Sequence, residues 1–116
     1  IDMMTDGTEA REFLYAEDCC EALEIIMGHY DKLSSDDELH ITTGSHTTIL
    51  EIARIIQRLF STIDKEVVIT RSECIDEVQK DARNEPDPYI QKFWRAKTSV
   101  KEGLSKVFFK MRNDYE

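Results

Sequence analysis

Apolar residues recur along the chain at three- and four-residue steps in three separate stretches. The clearest puts Ile49, Ile52, Ala53, Ile56, Leu59 and Phe60 on one stripe of a helix. Thr48 and Glu51 precede it at the spacing of a capping box, which satisfies free backbone N–H groups of a first turn. A second stripe runs through Cys19, Ala22, Leu23, Ile26, Met27 and Tyr30, with Asp18 as the expected N-cap and Glu21 three residues on. The third uses Val100, Leu104, Val107, Phe108 and Met111 behind Ser99 and Glu102. Three amphipathic helices follow from these patterns.

Between the helices the pattern changes. Residues 12–16, 38–43 and 66–70 are short runs of extended character, the middle one in strict alternation, and they read as strands. Residues 31–37 form a polar connection, while Pro86 and Pro88 keep residues 84–88 out of any helix interior, since each proline removes a donor and restrains its predecessor. The alternation predicts an α/β (α+β) domain, a small sheet with about three covering helices, with residues 1–116 as a single domain. It falls short of a six-stranded nucleotide-binding fold, and the spacing leaves strand order and direction open.

Composition narrows the partners. With 24 acidic against 15 basic residues and a formal charge of -9, the surface repels a nucleic-acid backbone, so any phosphate site must be local. Cys19, Cys20 and Cys74 form no CxxC pair and suggest reduced thiols in a cytoplasmic protein, with Cys19 expected in the core. No apolar run approaches the roughly 20 residues that cross a bilayer, and the start lacks the basic and apolar regions of a signal peptide, so a soluble, intracellular protein with no membrane partner is expected. The first residue is isoleucine, which a ribosome does not place first, and a fragment of a longer protein is expected.

The candidate chemistry is sparse. Gly7, Gly28, Gly44 and Gly103 lie too far apart for GxGxxG or a P-loop, so no cofactor-binding residue is assigned. His29, His40 and His46 lack metal-site spacing and are expected as surface or strand-edge residues, His40 in a structural role; no metal ligand is assigned. No carboxylate pair stands out, and most acidic residues belong to solvated helix faces. Arg11 and Arg83 are cations able to grip a phosphate bidentately, although ordinary surface arginines are commoner. Tyr89, Phe93 and Trp94 are expected to form a hydrophobic plug that seats the last helix.

Three segments in order carry a resemblance. Residues 6–18, Asp6-Gly7-Thr8-Glu9-Ala10-Arg11 onward to Asp18, resemble the "GDGxxxRDFxYVxD" stretch of the extended short-chain dehydrogenase/reductases. Leu39 to Gly44 with Thr48 to Ala53 is similar to that family's "YNIGTG…SILELA", and Phe93 to Leu104 to its "LGWKPKTSLEEGL". The resemblance covers nearly the whole chain and implies the C-terminal substrate-binding lobe of an NAD(P)-dependent nucleotide-sugar epimerase or dehydratase, without its Rossmann domain. Such enzymes oxidise the sugar transiently at C4, using NAD or NADP in the N-terminal domain and a YxxxK motif. Here no tyrosine has lysine four residues on, since Tyr15, Tyr30 and Tyr89 are followed there by Cys19, Ser34 and Phe93, and no catalytic residue is assigned.

Residue by residue, the resemblance implies that Arg11 approaches the substrate diphosphate, Arg83 the nucleotide, and Asp87 supplies the acidic residue after it. Only ten residues separate Arg83 from Trp94, fewer than in the family, and His40 stands where asparagine is usual. The implied partners are a nucleotide-diphosphate sugar and the N-terminal Rossmann domain of the same protein, with room for a homodimer. Two other readings remain open: a stand-alone, non-catalytic nucleotide-sugar binding module, and a protein-interaction module.

Overall fold

The computed structural model describes residues 1–79 and 85–115. Two short strands, β1 (Ala10–Arg11) and β2 (Thr47–Thr48), accompany three helices, α1 (Ala16–Gly28), α2 (Ile49–Ser61) and α3 (Val100–Tyr115). Single 3₁₀ turns follow α1 at Tyr30–Lys32 and precede α3 at Pro88–Lys92. The expected class, helices around a small sheet, is what forms, and the sheet is smaller than the alternation suggested.

α2 begins where the sequence places it. Thr48 Oγ1 accepts the Glu51 N–H at 3.1 Å and the Glu51 carboxylate accepts the Thr48 N–H at 2.9 Å, a complete capping box. The two earlier N–H groups of the turn are satisfied from outside the helix, Ile49 by the Glu9 carbonyl at 3.1 Å and Leu50 by the Gly7 carbonyl at 3.0 Å. Gly7 has φ +79°, and a Cβ there would overlap the Met3 methyl and lie 3.0 Å from Leu50 Cβ. The turn around it is held by Asp6, whose Oδ1 accepts from the Thr8 N–H at 3.0 Å and hydroxyl at 2.7 Å. Those two bonds, the backbone one first, hold the Asp6 carboxyl below the usual range.

α1 starts differently from expectation. Its N-cap is Tyr15, which offers no capping side chain, and Asp18 lies inside the first turn. Asp18 is 6% exposed, and its carboxylate reaches across the fold to accept the N–H groups of Lys97 (3.1 Å) and Thr98 (2.9 Å) and the Thr98 hydroxyl (3.3 Å). A longer-range use of the carboxylate has displaced the local one. In the lead-in to α3, Ser99 Oγ accepts the Glu102 N–H at 3.2 Å, as its spacing suggested. α3 then packs on α2, with Phe60 and Phe108 edge to face at 5.1 Å between centroids.

None of the three expected strands is a strand. Residues 12–15 are in no strand and run straight into α1, and residues 38–43 have no ladder partner among the described residues. Residues 66–69 are likewise unpaired as a strand, and Thr70 forms a single parallel bridge with Asp2. Met3 donates to the Thr70 carbonyl at 2.8 Å there, and Gln57 Nε2 donates to the Val67 carbonyl at 2.7 Å. The sheet that does form pairs β1 antiparallel to β2, Ala10 opposite Thr48 and Arg11 opposite Thr47.

The core is small. Ala22 of α1, Ile90 and Trp94 are buried together, with Leu14, Ile25, Ile26, Leu39, Ile41 and Ala96 packed around them. The aromatic plug therefore packs on α1, and the part expected of it at α3 is taken by Asp18. Cys19 is half-buried, outside this cluster, and all three thiols are free. The molecule is a plate of 51 × 38 × 16 Å with a radius of gyration of 17.2 Å, where a compact chain of this length has about 13 Å. It exposes 8577 Å², against about 6500 Å² for a globular protein of its mass.

Candidate functional site

Pairing of β1 with β2 brings the segment carrying Arg11 beside the loop carrying His46 and the stretch containing His40. These residues line an open cleft of about 520 Å³ together with Ala10, Glu12, Thr42, Gln79, Glu85 and Pro86. Among the described residues lining it, Arg11 is the one cation when the histidines are neutral. It is half-exposed, and its Nη2 lies 3.4 Å from Asp76 Oδ2.

Glu12 forms part of the wall, with Oε1 3.9 Å from His46 Nε2. Its Oε2 is buried with no hydrogen-bond partner among the described residues, a costly arrangement for a carboxylate. The cleft thus sets Arg11 against Glu12 and Glu85. Among the described residues, one guanidinium is thus opposed by two carboxylates, an arrangement that can orient an anion.

The sequence-derived site residues do not all meet here. Arg11 is in the cleft. Asp87 sits at its margin but is committed to the backbone, its Oδ1 accepting the Tyr89 N–H at 2.8 Å as cap of the 3₁₀ turn that begins at Pro88. Arg83 lies outside the described residues. His40 Nδ1 accepts the Asp87 N–H at 2.9 Å, which places its proton on Nε2, 2.8 Å from a Glu38 carboxylate oxygen. The structural role expected of His40 is therefore visible: it joins the 38–43 stretch to the lead-in of the aromatic turn.

Asp76, Gln79 and Glu12 were not singled out from the sequence, and His46 was expected only as a surface or strand-edge histidine. Asp76 had a local signal, an aspartate two and three residues ahead of N–H groups it can cap, and it does accept from Val78 (3.1 Å) and Gln79 (3.0 Å). Its approach to Arg11, 65 residues away, had none. The first-turn N–H groups of α2, the helix into which β2 leads, are already used by Gly7, Glu9 and Thr48.

No family model matches the chain. Among curated proteins it is similar to a GDP-L-fucose synthase of Sinorhizobium fredii, 32% identical over 102 residues, which cover 88% of this chain and 31% of that protein. A probable GDP-L-fucose synthase of Oryza sativa is 28% identical, over 88% of this chain and 29% of that protein. The chain spans about a third of the length of the curated relatives it matches. Among solved structures it superposes on a GDP-mannoheptose C4 reductase from Campylobacter jejuni with NADP bound, at a TM-score of 0.72 and 20% identity, over 97% of this chain and 34% of that one. A protein named DdhaC gives a TM-score of 0.66 at 21% identity, over 98% and 33%. At those identities the structural likeness speaks for the fold.

Proposed function

This chain is a relative of the extended short-chain dehydrogenase/reductases that act on nucleotide sugars, and on that premise we propose that residues 1–116 form the substrate-binding lobe of such an enzyme. Its own residues supply one wall of the site. Arg11 faces the diphosphate of the nucleotide sugar, and Arg83 and Asp87 are the further contacts derived from the sequence. The names of the relatives favour a GDP-sugar as the substrate class, and that of the Campylobacter protein a reductase, beside the epimerase or 4,6-dehydratase that the sequence resemblance implies. NADP, which the Campylobacter reductase binds, would sit in the remainder of the protein, because the sequence of this chain has no glycine-rich turn for it.

The observation that carries the reading is Arg11, placed on β1 by pairing with β2 and opening into a cleft of about 520 Å³. The plate-like shape agrees: the excess of about 2000 Å² over a globule is the size of a whole protein interface. The three free thiols fit a reducing, cytoplasmic setting.

The test is titration calorimetry of GDP, UDP and their sugars into the full-length protein and into the 116-residue chain. Binding by the full-length protein, weakened about tenfold or more by Arg11→Ala, is the expected result. Binding of equal strength by the isolated chain would replace the two-walled site with a self-sufficient module, and indifference to Arg11→Ala would remove the diphosphate assignment.

A further inference from the structure

An anion beside the cleft already answers Arg11. Asp76 Oδ2 lies 3.4 Å from Arg11 Nη2, while Asp76 Oδ1 accepts the N–H groups of Val78 and Gln79. The carboxylate is the fixed member of this pair. Two backbone bonds set its position and its side chain is 23% exposed, whereas the Arg11 side chain is 49% exposed and has rotamer freedom to leave. A separation of 3.4 Å exceeds the roughly 2.7–2.9 Å of a strong charge-assisted bond, so the pair is loose and exchangeable. Gln79, whose N–H is tied to the same carboxylate, lines the cleft itself.

Resting on the diphosphate reading above, we infer that Asp76 is a positioning residue: it parks the Arg11 guanidinium at the cleft and competes with the nucleoside diphosphate for it. Binding then exchanges one ion pair for another. A diphosphate wins because its oxygens can engage the guanidinium fork at two points, where Asp76 engages one Nη. The competition makes affinity weaker than Arg11 alone would give, and it keeps the cation from straying while the cleft is empty.

Asp76→Asn separates the two tasks of the residue, since the amide oxygen can still accept from Val78 and Gln79 while the charge opposing Arg11 is gone. In the full-length protein, with GDP and guanosine as probes, Asp76→Asn should tighten GDP by about threefold, the scale of a partly exposed ion pair. Guanosine, which lacks the diphosphate, should bind as before, and the gain should vanish in an Arg11→Ala background. If Arg11→Ala weakens GDP but Asp76→Asn leaves it unchanged or weakens it, the competition is refuted and the diphosphate reading stands. Equal shifts for GDP and guanosine would reduce Asp76 to a turn-former and refute it as well. If Arg11→Ala leaves GDP binding untouched, the diphosphate reading fails and takes this inference with it.

Discussion

The carboxylate of Asp18, in the first turn of α1, holds the backbone N–H of Thr98 at 2.9 Å across 80 residues of chain, and through it the lead-in to α3. Because Asp18 is buried and accepts three bonds there, Asp18→Ala strands two backbone donors as well as removing a charge. A loss of about 2–3 kcal/mol is expected, read as a lower urea midpoint. Asp18→Asn, which keeps an acceptor oxygen, should lose less. Equal losses for the two would assign the effect to the negative charge rather than to the acceptor oxygen.

Gly7→Ala should destabilise by about 1–3 kcal/mol. The Met3 methyl is the end of a flexible side chain and can move, but the positive φ and the Leu50 backbone N 3.1 Å from the new Cβ cannot be relieved so easily. Since the Gly7 carbonyl also accepts the Leu50 N–H, the change should raise amide exchange at the start of α2. Unchanged exchange there would show that the turn relaxes independently of the helix.

Trp94 is the chain's one tryptophan and is 5% exposed in the central cluster. Its fluorescence should be that of a buried indole and should move to the red in one step with the loss of helical circular dichroism. Trp94→Ala is expected to cost about 3–5 kcal/mol, a large share of the stability of any domain this size. A red shift preceding the helix loss would mean that the aromatic turn detaches from α1 first.

Glu21 is held below the ordinary glutamate value by a hydrogen bond from the Lys97 ammonium, which the same carboxylate holds above the ordinary lysine value. A carboxyl more acidic in the folded chain stabilises fully above its ordinary value, 4.5, and loses that contribution as pH falls through the folded value. The raised lysine loses its own as pH climbs past 10.5. The pair therefore acts on the plateau between. Glu21→Gln should lower the urea midpoint at about pH 7 and not at about pH 3, with a smaller difference in high salt because both groups are partly exposed. An equal difference at both pH values would point to the neutral bond from Trp94 Nε1 to Glu21, 3.3 Å long.

The helices were legible because their signals are local. The Thr48–Glu51 capping box and the stripe of α2 involve residues three and four apart, and nothing elsewhere in the chain is needed to complete them. Strands are defined by a neighbour, and there the reading stopped short. Within residues 38–43 the alternation was correct in substance: Leu39 and Ile41 pack on the core while His40 turns to Asp87. What alternation cannot contain is a second strand to pair with. Asp18 failed for the opposite reason, a sound local signal overridden by Lys97 and Thr98. In the cleft, Arg11 was readable from its family-like motif, whereas Asp76 and Gln79 join it only through tertiary proximity.

A plate 16 Å through is little thicker than one helix with its side chains, about 10–12 Å. Every amide therefore lies close to water on one face or the other, and small local openings suffice to expose most of them. Hydrogen exchange in this chain should be slow only behind the patch formed by Ala22, Ile90 and Trp94, and graded steeply outward from it. Under the two-walled site proposed above, a domain lying against the plate would slow exchange across a whole face at once.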